Sequence, residues 1–194
     1  VKHYGMRFAL LLTLGAVGVT TANVSLDAVK SSALATYGAE TGAMIDQWIK
    51  MIVKIRGLPD KDKLLYVNNF FNSRIKWIAD IENWKEEDYW ATPLETMARR
   101  KGDCEDFSIS KYITLVMAGM PDEKLRITYV KARIDSASGA KNQAHMVLAY
   151  YPKPKAEPMI LDNMVKDIVR GSLRRDLKPV FGFNTGVILS LIHI

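Results

Sequence analysis

Gly102-Asp103-Cys104-Glu105-Asp106-Phe107, followed by the run Ser108 to Met117, is the stretch on which the fold and the chemistry both turn. A turn glycine gives way to apolar positions at Phe107, Ile109, Tyr112, Ile113 and Val116, whose mostly helical spacing predicts a helix starting at Cys104. The first turn of a helix carries unpaired backbone N–H groups and the positive end of the macrodipole, and both favour a thiolate. Three carboxylates, Asp103, Glu105 and Asp106, crowd the same sulfur and oppose it, because like charge raises a thiol's pKa. Two readings of these acids stand side by side. Asp103 caps the helix and Asp106 closes a capping-box-like pair, or the carboxylates together hold a hard cation such as Ca²⁺, which takes 6–8 oxygen ligands.

On either side of this stretch the period of the sequence changes. Upstream, Met44, Ile45, Trp48, Ile49, Ile52, Val53 and Ile55 recur at helical spacing until Gly57-Leu58-Pro59 stops the run. A second helix is predicted from Asp60, capped by its side chain and carrying Leu64, Leu65, Val67, Phe70, Phe71, Ile75, Trp77 and Ile78 into the core. Residues 80–92 interleave Asp80, Glu82, Glu86, Glu87 and Asp88 with Trp84, Tyr89 and Trp90, a composition that suits either one wall of a cleft or a packed acidic loop. Pro93 then opens a short helix whose end, Arg99-Arg100-Lys101, reads as solvated.

Downstream the pattern is that of strands: Leu125 to Ile134, His145 to Tyr151, Met159 to Asp162 and Leu177 to Phe183, with Asp135 to Asn142 as an exposed turn. Helices first and an antiparallel meander after them give an α+β fold, with the cysteine helix packed on the sheet.

The chain has 194 residues, 48% hydrophobic and 25% charged, enough for one domain with a real core. Its single cysteine excludes an intrachain disulfide framework and a thiolate zinc site. Residues 1–22 have the layout of a secretory signal: Lys2 and Arg7, an apolar run from Phe8 to Val19, then Thr20-Thr21-Ala22. That run falls short of the ~20 apolar residues of a membrane span, so no stable membrane insertion is expected after cleavage. Cleavage would remove two positive charges from the formal +6, and the remaining cations are scattered, with no basic stripe for nucleic acid. Residues 23–39, rich in Ala, Ser and Thr, read as a loosely packed lead-in, and 40–184 as the working domain. Residues 185–194 end as Val-Ile-Leu-Ser-Leu-Ile-His-Ile, which reads either as a foreign junction or as an apolar edge strand.

A nucleophilic cysteine needs a base, and histidine is the side chain whose pKa suits neutral pH. Of three histidines, His3 lies in the signal-like segment and His193 in the doubtful tail, which leaves His145 on a strand. An imidazole works best with its second nitrogen held, and Asp162 or its neighbour Asn163, at the end of the next strand, can hold it.

DYWATPLE, GDCEDFSISKYITL, HMVLAYY and ILDN, in that order over residues 40–184, resemble the bacterial transglutaminase-like cysteine proteinases, and within them the periplasmic adhesin-cleaving type. The resemblance implies a papain- or transglutaminase-like fold with Cys104 as nucleophile, His145 as general base and acid, and Asp162 as orienter. It also implies calcium dependence, with Asp103 and Glu105 as ligands, Asp106 as a weaker candidate and a further ligand somewhere in residues 80–92. The implied substrate is the N-terminal region of a large surface adhesin, cut at a small-residue site such as paired alanines. The implied regulator is an inner-membrane receptor that sequesters the protease when cyclic-di-GMP is abundant. A transglutaminase or amidase would use the same three residues, and a non-catalytic secreted binding module is the remaining alternative.

Overall fold

The computed structural model describes residues 25–136, 139–186 and 188–190, so the signal-like segment and the last four residues lie outside the described residues. Among the described residues six α-helices precede the main sheet: α1 (Leu26–Tyr37), α2 (Gly42–Ile55), α3 (Asp60–Arg74), α4 (Asp80–Asn83), α5 (Pro93–Arg99) and α6 (Cys104–Met117). Two short strands among them, β1 (Lys76–Trp77) and β2 (Lys101–Gly102), pair in parallel. The main sheet comprises β3 (Leu125–Ser136), β4 (Gly139–Tyr150), β5 (Met159–Leu161), β6 (Val169–Arg170), β7 (Leu177–Phe183) and β8 (Ile188–Ser190), all antiparallel in the order β6-β5-β4-β3-β7-β8. The predicted α+β architecture is the one observed. Among the described residues no helix is long and apolar enough to cross a membrane.

The core lies between α2, α3 and α6 and the sheet face that carries Leu125, Ile127, Met146 and Leu148. Trp48 on α2, 2% exposed, hydrogen-bonds the Thr114 hydroxyl of α6 at 2.8 Å, so the largest apolar side chain also ties two helices together.

Three local expectations need correction. The lead-in is a capped helix: Ser25 accepts the Ala28 N–H, Ala33 is buried, and Lys30 pairs with Asp46 of α2 at 2.6 Å. Its small residues permit close packing, and a Cβ at Gly42 would meet Leu34 at 2.9 Å. The second helix stops at Arg74, because Ile75 turns extended and the N–H groups of Lys76 and Ile78 bond the carbonyls of Arg100 and Gly102. Trp77 is therefore exposed, Leu65 within α3 is exposed as well, and Asp60 does not cap α3 but binds Lys124 at 2.7 Å and the Tyr150 hydroxyl at 2.8 Å. The predicted turn over 135–142 belongs mostly to the ladder, with Asp135 opposite Ala140 and Ser136 opposite Gly139. Paired backbone groups outweigh the local turn propensity of Ser and Gly once a long hairpin zips. In the tail, Ile188–Ser190 pair with β7.

Arg99, Arg100 and Lys101 are exposed, as the sequence predicts for this helix end. Arg99 also donates to the Asn83 carbonyl and lies 3.8 Å over the Trp84 ring, which stacks on Tyr89 at 4.2 Å. Together with the capping box of Thr92 and Glu95, this pins the acidic 80–92 segment against the start of α6.

Candidate active site

Cys104 is the first residue of α6, as its sequence context predicts. Its thiol donates to the Glu105 carboxylate at 2.9 Å and receives the backbone N–H of Met146, the residue that follows His145 on β4. Burial pushes the thiol's pKa strongly upward, and the charge and hydrogen bond of Glu105 and the charge of Asp103 add to it.

His145 is 5% exposed, and its Nε2 lies 2.9 Å from Asp162 Oδ1. Asp162 and not Asn163 therefore holds the ring; the Asn163 side-chain oxygen is buried without a hydrogen-bond partner. A carboxylate only accepts, so Nε2 carries the proton and Nδ1 is left as the basic nitrogen. Asp162 is held from several directions. Oδ1 also accepts the Met164 N–H at 3.0 Å, Oδ2 lies 2.8 Å from Arg174 Nη1, and Asn72 donates to its carbonyl oxygen at 2.7 Å. Burial alone would raise its pKa, but the His145 bond and charge, the Met164 N–H and Arg174 together bring it down to about 2. The described contacts bring His145 and Asp162 into a direct bond and place Cys104 against the same strand, with its thiol turned to Glu105.

The acids beside Cys104 behave otherwise. Asp103 makes no capping bond with its side chain, so the capping-box reading keeps only Asp106, whose carboxylate lies near the Asp103 N–H and accepts the Ala91 N–H at 2.8 Å. Oxygens of Asp80, Asp103 and Asp106 lie within 4.8 Å of one another, as do those of Asp80, Asp88 and Glu105. One oxygen each on Asp80, Asp103 and Asp106 is buried with no hydrogen-bond partner. A Cβ at Gly102 would stand 2.7 Å from the Asp106 carboxylate, so only glycine leaves that oxygen its place. Burial drives the Asp80 pKa up to about 6, with repulsion from Glu105, Asp88 and Glu86 adding to it, and that of Asp106 up to about 7, with repulsion from Asp80 and Glu105; burial and Glu105 likewise raise Asp103. Converging orphaned carboxylate oxygens fit the oxygen-rich shell of a hard divalent ion.

Asp103, Glu105 and Asp106 are thus brought together, and residues 80–92 supply Asp80 and Asp88, which sequence reasoning did not single out. Asp80 is set in place by the Tyr89 N–H, a contact with no sequence signal beyond the mixture of acids and aromatics. Trp90, hydrogen-bonded to Asp88 at 3.0 Å, stacks on Phe183 of β7 and joins this segment to the sheet. A groove of about 670 Å³ between α2 and α3 contains none of these residues.

A family model of bacterial transglutaminase-like cysteine proteinases matches residues 51–173. Legionella pneumophila LapG is similar in structure, with 39% identity over 87% of this chain and 88% of that one and a TM-score of 0.74. Its calcium-bound form matches at 38% identity over 87% and 88% of the two chains, with a TM-score of 0.75. The EGTA-treated form does so at 38% identity over 87% of each, with a TM-score of 0.74. No curated protein matches this chain.

Proposed function

Since the chain belongs to the bacterial transglutaminase-like cysteine proteinases and is a cysteine protease, we propose that it is a calcium-dependent periplasmic endopeptidase that releases a large cell-surface adhesin by cutting its N-terminal region. Cyclic-di-GMP-dependent sequestration by an inner-membrane receptor, and a role in biofilm dispersal, belong to the same reading. The observation that carries it is the His145–Asp162 hydrogen bond on the strand whose next amide meets the Cys104 sulfur.

In this mechanism Asp162 fixes the ring with Nε2 protonated, and Nδ1 of His145 takes the thiol proton once the thiol turns away from Glu105. The Cys104 thiolate attacks the peptide carbonyl carbon, and the backbone N–H of Cys104 at the start of α6 stabilises the oxyanion. His145 returns the proton to the leaving amine as the C–N bond breaks, which leaves a thioester on Cys104. His145 then takes a proton from water, the resulting hydroxide attacks the thioester, and the acid product leaves with the thiol restored. Asp80, Asp103, Glu105 and Asp106, with Asp88 beside them, are the residues that would hold calcium. Bound there, calcium supplies positive charge that offsets the carboxylates opposing the thiolate.

The test is incubation of the purified chain with recombinant N-terminal adhesin fragments, with added calcium or with EGTA, alongside Cys104→Ala. The expected result is calcium-dependent cleavage by the parent chain alone. Incorporation of an added amine in place of water would instead mark a transglutaminase. Full biological function in Cys104→Ala would mark a binding module.

A further inference from the structure

We infer that Arg174 is a positioning residue of this site: it grips the outer oxygen of Asp162, so that the carboxylate stays ionised and turns its other oxygen to His145. The inference rests on the proposed use of His145 and Asp162 in catalysis.

Arg174 follows the short turn Gly171–Leu173 between β6 and β7, far in sequence from Cys104, and is 6% exposed. Its Nη1 pairs by charge with Asp162 Oδ2 at 2.8 Å, in an ion pair whose N–H is not aligned for a hydrogen bond, while Nε and Nη2 bond Asp176 at 3.0 and 2.7 Å. The main chain fixes the guanidinium's position, because the Arg174 N–H bonds the Gly171 carbonyl, the Leu177 N–H bonds the Arg174 carbonyl, and Gly171 is tied to Pro158. The result is a chain of charges, His145, Asp162, Arg174 and Asp176, running from the ring to the surface, where Asp176 is 42% exposed. A carboxylate in this setting, with a side chain 0% exposed, would be costly to ionise alone, and a planar guanidinium able to bind two acids at once is the group suited to hold it.

Among the described residues, the ionisable side chains that act on Asp162 include His145 from β4, Arg174 from the turn before β7, Lys111 from α6 and, beyond Arg174, Asp176. Lys111 is 1% exposed, its ammonium has no hydrogen-bond partner, and burial brings its pKa down to about 7 with Asp162 opposing that shift. Arg174, by contrast, stays charged at every pH the protein meets.

These positions give opposite signs for two substitutions. Removing the positive charge of Arg174 leaves Asp162 undivided for the imidazolium and raises the pKa of His145. Removing the negative charge of Asp176 frees Arg174 to draw on Asp162 more strongly and lowers it. A side chain that only packed the turn would move neither.

The experiment is an NMR titration of the His145 ring in a Cys104→Ala background, with the resonance assigned by its loss in His145→Gln, paired with cleavage kinetics in the parent background. Arg174→Met is expected to raise the ring's pKa by about one unit, a tenfold change in proton affinity. It should also lower kcat about 10- to 100-fold, with KM held within about twofold. Arg174→Lys should restore the titration, and Asp176→Asn should shift it downward. Asp176→Asn keeps the buried pair intact and so reads the relay even where Arg174→Met does not fold. An unmoved titration in Arg174→Met and Asp176→Asn, with kcat unchanged, would overturn the inference. Failure of the parent chain to cleave adhesin fragments would overturn the protease reading instead, and the titration would still decide for or against the grip of Arg174 on Asp162.

Discussion

Asp162 and the acids around Cys104 are buried or half-buried carboxylates in one small domain, yet their surroundings push their pKa values in opposite directions. Asp162 receives an imidazole, a backbone N–H and a guanidinium, and its pKa falls to about 2. Asp80, Asp103 and Asp106 receive a few backbone N–H groups and face one another, and their pKa values rise. The difference is the presence or absence of positive charge, and burial makes that difference count. A buried acid that already has its cation is a finished part of the structure. A group of buried acids without one is the place where a cation belongs.

The largest expected effect removes the completed side of the contrast. Asp162→Asn should reduce kcat on the order of 10³–10⁴, because an amide no longer enforces the ring tautomer. Single-turnover cleavage of an adhesin fragment measures this, and a loss below tenfold would speak against the orienting role.

The next prediction attacks the unfinished side. Asp103→Asn removes one repelling charge with no capping bond to lose. In EGTA it should raise the melting temperature by about 2–4 °C, and it should shrink the further rise that calcium gives the parent protein. Differential scanning calorimetry with and without calcium separates the two.

The pH dependence of stability sharpens the comparison, since the two regions pull in opposite directions. For Asp80 and Asp106 the folded pKa values of about 6 and 7 exceed the ordinary ~3.9 of an aspartate, so the folded state binds protons more tightly. Their stabilising contribution is present at pH values below ~3.9 and is lost as pH rises through 6 and 7. For Asp162 the folded value is the lower one, so its contribution is present above ~3.9 and is lost as pH falls toward 2. Metal-free protein should therefore gain stability between pH 7.5 and 5, and denaturant titrations across that range should show the gain diminish when calcium is present.

The smallest effect concerns the scaffold that holds the acids. Arg99→Ala should cost about 1 kcal/mol, from the lost stacking on Trp84, and should weaken calcium binding by loosening residues 80–92. A calcium affinity equal to that of the parent would show that the segment holds its shape without Arg99.

How far the sequence foretold this arrangement depended on the range of the interactions. The start of α6 at Cys104 is written locally, in a turn glycine followed by helical spacing, and so are the strands around His145 and Asp162. The choice between Asp162 and Asn163 was not, because neighbours at a strand end differ only in where the twist aims them. α1 was taken for loose chain because packing through small residues against Gly42 leaves no strong apolar stripe. Asp80 and Arg174 were missed for a shared reason. Each acts across a contact between segments distant in sequence, and Arg174 beside Arg175 looks no different from a surface cation until the fold buries it.

The central claim is that the acids at the head of α6 form a cation site, and calorimetric titration of EGTA-treated, dialysed protein with calcium tests it most directly. The account predicts saturable binding to the parent chain and at least about a tenfold loss of affinity in both Asp80→Asn and Asp103→Asn. Absence of saturable binding, or affinities unchanged in those two variants, would contradict it.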